Sequence, residues 1–317
     1  MKLIINIPAY NEAQAIGTTI KNLPRSLKGI SDVLVQVIDD GSRDNTAEIA
    51  RSAGADIVIS HSTNRRLGAV FNTAVESALA NGADIMINID ADGQFDTNEI
   101  PKLLTPILNG RADMVIGERF SAGNAHNIPI AKKVLNRIGA KIVGHFLNVD
   151  IHDLTCGFRA HNRETLLRLN PIVGFTYTQE SIIDAIGKKL SLQWVPITVH
   201  YFPDRKSRVV RSIWHFVNNS ARIIVKAVRD IRPMKFFGFP GLFLITISVA
   251  VFCYFLFLYF PHLQITPYRN YLLSAIVLFL IGLQFIVFAL IADMIKASRK
   301  LTEDIMYEMR KERYSKK

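Results

Sequence analysis

Two aspartates stand one residue apart directly after an apolar run of the chain. Asp90 and Asp92 follow residues 85–89, Ile-Met-Ile-Asn-Ile. Mg²⁺ and Mn²⁺ prefer oxygen ligands and are commonly shared between one or two carboxylates and the phosphates of a substrate. In an open α/β sheet, ligands bind beyond the carboxyl ends of the strands, where this pair would lie. The pattern predicts a metal-bound pyrophosphate, as in a nucleotide sugar, and it is also typical of a solvated turn after a strand.

Two earlier segments predict further polar side chains at the same edge. Residues 3–7 and 33–38 are short β-rich runs, followed by Pro-Ala-Tyr-Asn-Glu at 8–12 and Asp-Asp-Gly-Ser-Arg-Asp-Asn-Thr at 39–46. Strands that alternate with helix-like segments are typical of βαβ units, whose parallel strands end at one edge of the sheet. We therefore expect six polar residues to meet there: Asn11, Glu12, Asp39, Asp40, Asp90 and Asp92.

The same α/β alternation continues to about residue 200. Further strands are predicted at 56–60, 113–117 and 193–200, and helices at 67–80, 96–108, 129–147 and 178–190. Cys156 and Cys253 are the only cysteines. One falls in this part and the other in an apolar segment, so we expect no disulfide, as in a reducing cytosol.

The three polar motifs, taken together and in this order, resemble those of a known family. Residues 8–12, 39–46 and 90–94 (Asp-Ala-Asp-Gly-Gln) are similar to the motifs of inverting family-two glycosyltransferases of GT-A fold. More narrowly, they resemble the polyprenol-phosphate glycosyltransferases, the family of dolichol-phosphate mannose synthase. The resemblance covers about residues 1–210 in motifs and the membrane tail in layout. It implies a Rossmann-like catalytic domain with a mixed sheet, which transfers a hexose from a nucleotide sugar to polyprenyl phosphate.

The resemblance also implies roles on the donor side. Asp90, Asp92 and Gln94 would bind Mg²⁺ or Mn²⁺, and Asp39 would read the nucleobase beside Asp40. Pro8, Tyr10 and Glu12 would frame the base and ribose, and Arg205, in a basic loop, would close over the pyrophosphate. Two other interpretations stay open: Asp39 and Asp40 as ordinary helix-capping acids, and the basic loop as charge that faces a membrane.

Other residues match the family on the acceptor side. Arg119 matches an arginine that holds the lipid phosphate, and an arginine is well shaped for bidentate phosphate recognition. Lys132, Lys133 and Arg137 would add positive charge, although single surface lysines are common without such a role. Position 136 is Asn where some relatives have Ser.

Two further segments complete the predicted catalytic set. Residues 153–159 and 175–180 resemble the Asp-x-Thr-x-Gly-Phe-Arg and Phe-x-x-Gln-Glu segments of the family. The catalytic residues would be Asp92, Arg119, Asp153, Gln179 and Glu180, with Asp153 or Glu180 gripping sugar hydroxyls. A hydroxyl acceptor would need a general base. A phosphate monoester, with a second pKa of about 6, is already mostly dianionic at neutral pH, so we expect no obligatory base.

Two apolar segments predict a membrane anchor. Residues 236–260 and 271–292 are 25 and 22 residues long and contain no charged side chain. Each is long enough to cross a hydrocarbon core about 30 Å thick, so together they predict a transmembrane hairpin. The alternative is a pair of buried core helices.

Basic residues flank the predicted hairpin. Nine Lys and Arg face one acid in residues 205–235, within a chain of net charge +11. By the positive-inside rule, the catalytic domain and both termini should be cytoplasmic. Such charge next to spans favours anionic lipids over nucleic acid as a partner. Residues 211–232 predict an amphipathic interfacial helix, with an ordinary helix packed on the sheet as the alternative.

These observations predict four parts and one leading function. The parts are a catalytic domain at 1–205, a basic juxtamembrane segment at 206–235, a hairpin at 236–292 and a cytoplasmic helix at 293–317 that pairs with other copies. The donor would be of the GDP-mannose or UDP-glucose type. Two alternatives are a membrane glycosyltransferase with a glycolipid or polysaccharide acceptor, and a catalytically silent membrane scaffold. The presence of Asp90, Asp92 and Gln94 argues against the scaffold.

Overall fold

The computed structural model describes most of the chain, in two compact units. The described residues are 1–120, 125–126, 130–170, 177–200, 218, 221–222, 225, 229–261 and 263–315, without the side chains of 125–126 and 130–132. One unit comprises Met1–Ile224 together with Ile305–Lys317, and the other comprises Val225–Asp304.

A seven-stranded mixed sheet forms the centre of the first unit. Its strands are β1 (Lys2–Ala9), β2 (Asp32–Asp39), β3 (Ile57–Ser60), β4 (Ile85–Asn88), β5 (Met114–Glu118), β7 (Arg159–Asn162) and β8 (Leu192–Pro196), in the order β3-β2-β1-β4-β7-β5-β8. Strand β7 is antiparallel to β4 and β5, and the other pairs are parallel. We call β3, β2, β1 and β4 the parallel half, and β7, β5 and β8 the mixed half. Two short strands, β6 (Ala125–His126) and β9 (Val199–His200), pair with each other.

Among the described residues of this unit, seven α-helices with defined bounds accompany the strands. They are α1 (Ile16–Lys21), α2 (Thr46–Ser52), α3 (Arg66–Ala80), α4 (Ile100–Leu108), α5 (Ile130–Leu147), α6 (Arg163–Arg168) and α7 (Tyr177–Gly187). Apolar residues of α3 at helical spacing, such as Val70, Ala74 and Ala78, are buried with the apolar strands β1 and β4. The predicted α/β pattern is confirmed.

Two elements differ from the predicted pattern. Strand β7 was not predicted, although it lies between β4 and β5. The single strand predicted at 193–200 is divided into β8 and β9. The division has a local cause, because the Thr198 N–H donates to Glu99 Oε2 at 2.7 Å instead of continuing the sheet ladder.

The second unit is built from two long apolar helices. They are α8 (Phe239–Tyr259), which follows a π-helical turn at Met234–Gly238, and the longer α9 (Arg269–Arg313). A Cβ placed at Gly241 would lie 2.9 Å from the Gly282 carbonyl oxygen, so the backbones approach closely. Both helices are long and apolar enough to cross a membrane, and 17% of the most apolar window of each is buried. Outward-facing apolar side chains are expected of a lipid-exposed hairpin.

The C-terminal end of α9 belongs to the first unit, and we call residues 305–315 the C-terminal strap. In the strap, Tyr307 bonds to Glu164 of α6 at 3.1 Å, and Tyr314 bonds to Glu76 of α3 at 3.2 Å. The helix is continuous through residue 293, where the sequence predicted a separate segment. Pairing of this segment with other copies stays a prediction, as do the four domain boundaries. The interfacial helix predicted at 211–232 lies mostly outside the described residues.

Candidate active site

The loops after β1 and β2 are fastened to each other by hydrogen bonds. The Asn11 N–H donates to Ser42 Oγ at 2.8 Å, and the Arg43 N–H donates to Asn11 Oδ1 at 2.8 Å. Ser42 in turn donates to Asp39, its N–H lying 3.1 Å from Oδ1. Gly41 has a φ of 71°, and a Cβ there would lie 2.7 Å from the backbone of the facing loop, so the turn requires glycine.

A second set of hydrogen bonds joins the next residues of these loops. The Glu12 N–H donates to Thr46 Oγ1 at 2.9 Å, and the Ala13 N–H donates to Asp44 Oδ2 at 3.2 Å. Although partial burial opposes the change, hydrogen bonds from Thr46 and Ala13 lower the pKa of Asp44. These hydrogen bonds therefore join the segment that bears Asn11 and Glu12 to the loop after Asp39. The meeting of all six polar residues stays a prediction. Pro8 and Tyr10 are half-buried along the same segment.

Through its carboxylate, Asp40 accepts hydrogen bonds from the loop that begins α3. Its side chain is buried; Oδ1 accepts from the Arg65 N–H at 2.8 Å and Oδ2 from the Arg66 N–H at 2.9 Å. His61 Nδ1 lies 2.8 Å from Asp40 Oδ1, and its Nε2 lies 2.9 Å from Thr73 Oγ1. Asp40 thus positions a loop, and contact with the donor stays a prediction. His61 was not among the site residues predicted from the sequence.

The turn after β4 presents oxygen atoms suited to a divalent cation. Asp90, Asp92 and Gln94 are each half-buried, and Asp92 Oδ1 accepts from the Gln94 N–H at 3.1 Å. Among the described residues, no group of three or more His, Cys, Asp and Glu side chains is close enough to hold a metal. Hard divalent cations such as Mg²⁺ commonly combine one or two carboxylates with water and substrate phosphates.

The segment around His200 in the first unit returns to this turn. The His200 N–H donates to the Gln94 carbonyl oxygen at 2.9 Å, and Phe95 forms an isolated bridge with Val199. Arg205 follows five positions after His200 in the sequence but lies outside the described residues. Its predicted contact with the pyrophosphate is therefore untested.

Arg119 and Asp153 form a buried ion pair in the mixed half. Arg119 Nε donates to Asp153 Oδ2 at 2.8 Å, and Nη2 donates to Oδ1 at 2.9 Å. Arg119 is 5% exposed and Asp153 is fully buried. Asp153 Oδ1 also accepts from the backbone N–H groups of Thr155 and Cys156, at 3.0 and 3.1 Å. Arg119, predicted to bind the acceptor phosphate, and Asp153, predicted to bind sugar hydroxyls, thus contact each other. Their contacts with substrate stay predictions.

Helix α5 turns a buried asparagine toward this pair and basic residues toward solvent. Asn136 Oδ1 accepts from the Leu154 N–H at 3.2 Å and from Thr155 Oγ1 at 3.0 Å. Lys133 and Arg137 are exposed, and the side chain of Lys132 lies outside the described residues. Asn136 is therefore part of the packing around Asp153.

A fully buried arginine joins the 153–159 loop to α7. Arg159 Nε donates to the Cys156 carbonyl oxygen at 2.6 Å, and Nη1 donates to the Thr178 carbonyl oxygen and to Ser181 Oγ, both at 2.7 Å. Burial lowers the pKa of Arg159 and raises that of Cys156 to about 12, so this thiol is not a nucleophile at neutral pH. The arginine fixes the start of α7, which bears the buried Gln179 and the half-buried Glu180.

A surface groove lies on the first unit, apart from the candidate site residues described above. Its volume is about 680 Å³, and it runs along α3 beside Ile59 and Tyr314. Of the predicted site residues that the structure describes, none lines it. The candidate site is therefore better defined by its hydrogen-bonded loops than by this cavity.

Comparisons with known sequences agree with the site geometry. Residues 4–169 match the family described as Glycosyl transferase family 2. The chain is 30% identical over 216 residues to a UDP-N-acetylglucosamine–dolichyl-phosphate N-acetylglucosaminyltransferase of Methanococcus voltae, covering 62% of this chain and 84% of that protein. It is 30% identical over 207 residues to a polyprenol monophosphomannose synthase of Mycolicibacterium smegmatis, covering 62% and 77%.

A comparison with solved structures supports the fold. Glucosyl-3-phosphoglycerate synthase from Mycobacterium tuberculosis, in complex with Mn²⁺, uridine diphosphate and glucosyl-3-phosphoglycerate, aligns with a TM-score of 0.54. The sequences are 18% identical, and the alignment covers 73% of this chain and 79% of the other. The likeness confirms the predicted GT-A fold. The family match across residues 4–169, more than half of the chain, shows that the chain belongs to glycosyl transferase family 2.

Proposed function

We propose that this glycosyltransferase transfers a hexose, with inversion, from a nucleotide sugar to polyprenyl phosphate at the cytoplasmic face of a membrane. One observation carries the donor side: the loops after β1 and β2 are bonded to each other at the edge where the turn at 90–94 follows β4. The names of the two sequence relatives support a lipid phosphate as acceptor.

Donor binding is assigned to the parallel half. Asp39, with Pro8, Tyr10 and Glu12 beside it, would contact the base and ribose. Asp90, Asp92 and Gln94 would hold Mg²⁺ or Mn²⁺, because their oxygen atoms suit hard cations. When bound, such a cation neutralises charge on the departing nucleoside diphosphate.

Acceptor binding is assigned to Arg119, with Lys132, Lys133 and Arg137 nearby in sequence. The ion pair with Asp153 supports an oriented guanidinium, so Asp153 would be a positioning residue, and Glu180 beside Gln179 would contact sugar hydroxyls. The acceptor phosphate needs no protein base, because it is mostly dianionic at neutral pH. The remaining task of these residues is to orient a phosphate oxygen for in-line attack on the anomeric carbon.

The two apolar helices support an integral membrane protein. The basic residues that flank them in the sequence predict that both termini are in the cytoplasm. A cysteine introduced at Gln264, in a variant without native cysteines, should react with an impermeant reagent only from outside intact cells. One introduced at the exposed Asp150 should react only after lysis. The opposite labelling pattern would overturn the cytoplasmic placement.

The activity itself is tested with a panel of labelled UDP- and GDP-sugars, polyprenyl phosphate and the purified full-length chain. We expect one donor class to label the lipid when Mg²⁺ or Mn²⁺ is present, and excess EDTA to abolish labelling. Full transfer in EDTA would contradict the metal site. Transfer only to a glycolipid or a polysaccharide would replace the proposed acceptor, and no transfer from any donor would favour a scaffold.

A further inference from the structure

A row of buried amide side chains crosses the parallel half of the sheet. Asn6 on β1 is the register partner of Gln36 on β2 and of Asn88 on β4, so the three face the same side. Each is at most 1% exposed. Gln36 Nε2 donates to Asn6 Oδ1 at 2.9 Å, and Asn6 Nδ2 donates to Asn88 Oδ1 at 2.5 Å. We call this row, with Tyr177 at its end, the amide ladder.

The amide ladder runs in one direction, toward the candidate site. Asn88 Nδ2 donates to the Tyr177 hydroxyl, and that hydroxyl lies 3.3 Å from the Gly157 carbonyl oxygen, to which it donates. At the far end, Gln36 Oε1 has no partner among the described residues. A buried polar group without a partner destabilises a fold, and apolar residues would fill this row without that cost. This cost suggests that the row has a function at its other end, where Tyr177 contacts Gly157.

That end is fixed in place from several sides. Tyr177 is 3% exposed, and its ring stacks on Phe71 with centroids 4.4 Å apart and an interplanar angle of 8°. The guanidinium of Arg159 lies 5.9 Å from the centre of the Tyr177 ring. A ring held in this way presents its hydroxyl to Gly157 in one orientation.

The Asp90 carboxylate lies close to Gly157. A Cβ at position 157 would lie 3.0 Å from Asp90 Oδ1 and 3.2 Å from Oδ2, closer than ordinary contacts. The carboxylate thus lies beside the glycine whose carbonyl oxygen accepts the hydrogen bond of Tyr177. We propose that Asn88 and Tyr177 are positioning residues, which fix Gly157 and thereby set the orientation of the Asp90 carboxylate for a divalent cation. This inference rests on the proposed metal-dependent function.

The test measures Mn²⁺ binding to the full-length chain in detergent, with UDP and with GDP in turn, from the paramagnetic resonance signal of free Mn²⁺. Tyr177→Phe removes only the hydroxyl and keeps the stacked ring. Loss of a partner behind a metal ligand typically costs about 10–100-fold in metal affinity or activity, so we expect at least about tenfold weaker Mn²⁺ binding. Gly157→Ala, whose methyl group meets Asp90 directly, should weaken binding as well.

Matched variants separate this inference from a general loss of stability and from the proposed function. Tyr307→Phe removes another hydroxyl that makes a hydrogen bond, and it should lower the melting temperature slightly without changing Mn²⁺ affinity. Asp92→Asn should lose Mn²⁺ binding. If Asp92→Asn loses binding while Tyr177→Phe and Gly157→Ala bind like the wild type, the positioning role is wrong and the metal site stands. If the wild type does not bind Mn²⁺, or Asp92→Asn binds it normally, the proposed metal site fails and the inference fails with it.

Discussion

The parallel and mixed halves of the sheet hold their carboxylates in different ways. In the parallel half, Asp90 and Asp92 lie half-buried on a turn. In the mixed half, Asp153 is fully buried, and each of its oxygens accepts hydrogen bonds from Arg119. The half-buried carboxylates suit exchangeable ligands, whereas the buried one holds the Arg119 guanidinium in place. Damage to the first should therefore reduce activity, and damage to the second should reduce stability.

The largest effect is expected from Asp153→Ala. This change leaves the Arg119 guanidinium buried without its carboxylate, which typically costs about 3–5 kcal/mol of unfolding free energy. Chemical unfolding in detergent measures the loss. Asp150→Ala is the matched control, because that side chain is 92% exposed. Equal stability of the two variants would show that the ion pair does not hold the mixed half together.

Asp92→Asn is expected to reduce activity rather than stability, and by a somewhat smaller free energy than Asp153→Ala costs in unfolding. Loss of a charged ligand should reduce sugar transfer by about a hundredfold or more, or roughly 3 kcal/mol of transition-state stabilisation. Unfolding should stay close to that of the wild type, since Asp92 is on a half-buried turn. Asp32→Asn, at a partly exposed position, controls for removal of a surface charge. A stability loss as large as that of Asp153→Ala would remove the contrast between the halves.

The mixed half should also make stability depend on pH, through His161 of β7. This side chain is fully buried, and burial, with the positive charge of Arg159, lowers its pKa to about 3. Because the unfolded chain binds a proton near pH 6.5 and the folded chain does not, stability is retained above about 6.5 and falls as pH drops toward 3. The expected slope is about 1 kcal/mol per pH unit. His161→Phe should flatten the dependence of melting temperature on pH between 6.5 and 4, and an unchanged slope would assign it to other groups.

The smallest effect is expected from the exposed charges of α5. Exposed charges contribute about 0–1 kcal/mol each, so the double variant Lys133→Ala/Arg137→Ala should raise the KM for polyprenyl phosphate only a few-fold. The rise should shrink at high salt, because screening weakens exposed charges. A loss of kcat as large as that of Asp92→Asn would mean that these residues contact the reacting groups.

The parallel half was largely predictable from sequence, whereas strand β7 and the buried contacts of the mixed half were not. The motifs of the parallel half directly follow β-rich runs, so their meeting at one edge follows from the strand pattern. Strand β7 has the sequence Arg-Ala-His-Asn, and its polar residues are buried only because Ser181, Thr178 and Phe71 lie against them in the fold. Asp40 and Asp153 likewise accept hydrogen bonds from the backbone of folded loops. The spacing of residues in the sequence does not reveal these contacts.

The division between β8 and β9 and the continuous α9 show two other limits. The break at Thr198 depends on Glu99, which is far away in the sequence, so no local pattern indicates it. In α9, the composition changes from apolar to charged near residue 293 while the backbone stays helical. The change in composition shows that the surroundings of the helix change near residue 293. It does not show that the helix ends there, because a helix ends at residues such as Gly or Pro that stop it.

The most direct test of the account compares two acceptors that differ only in the phosphate. Purified full-length protein receives its labelled donor and Mg²⁺ or Mn²⁺ with either polyprenyl phosphate or the corresponding prenyl alcohol. The account predicts transfer to the phosphate and none to the alcohol, because only the phosphate offers an ionised oxygen without a protein base. Equal transfer to the alcohol would contradict it.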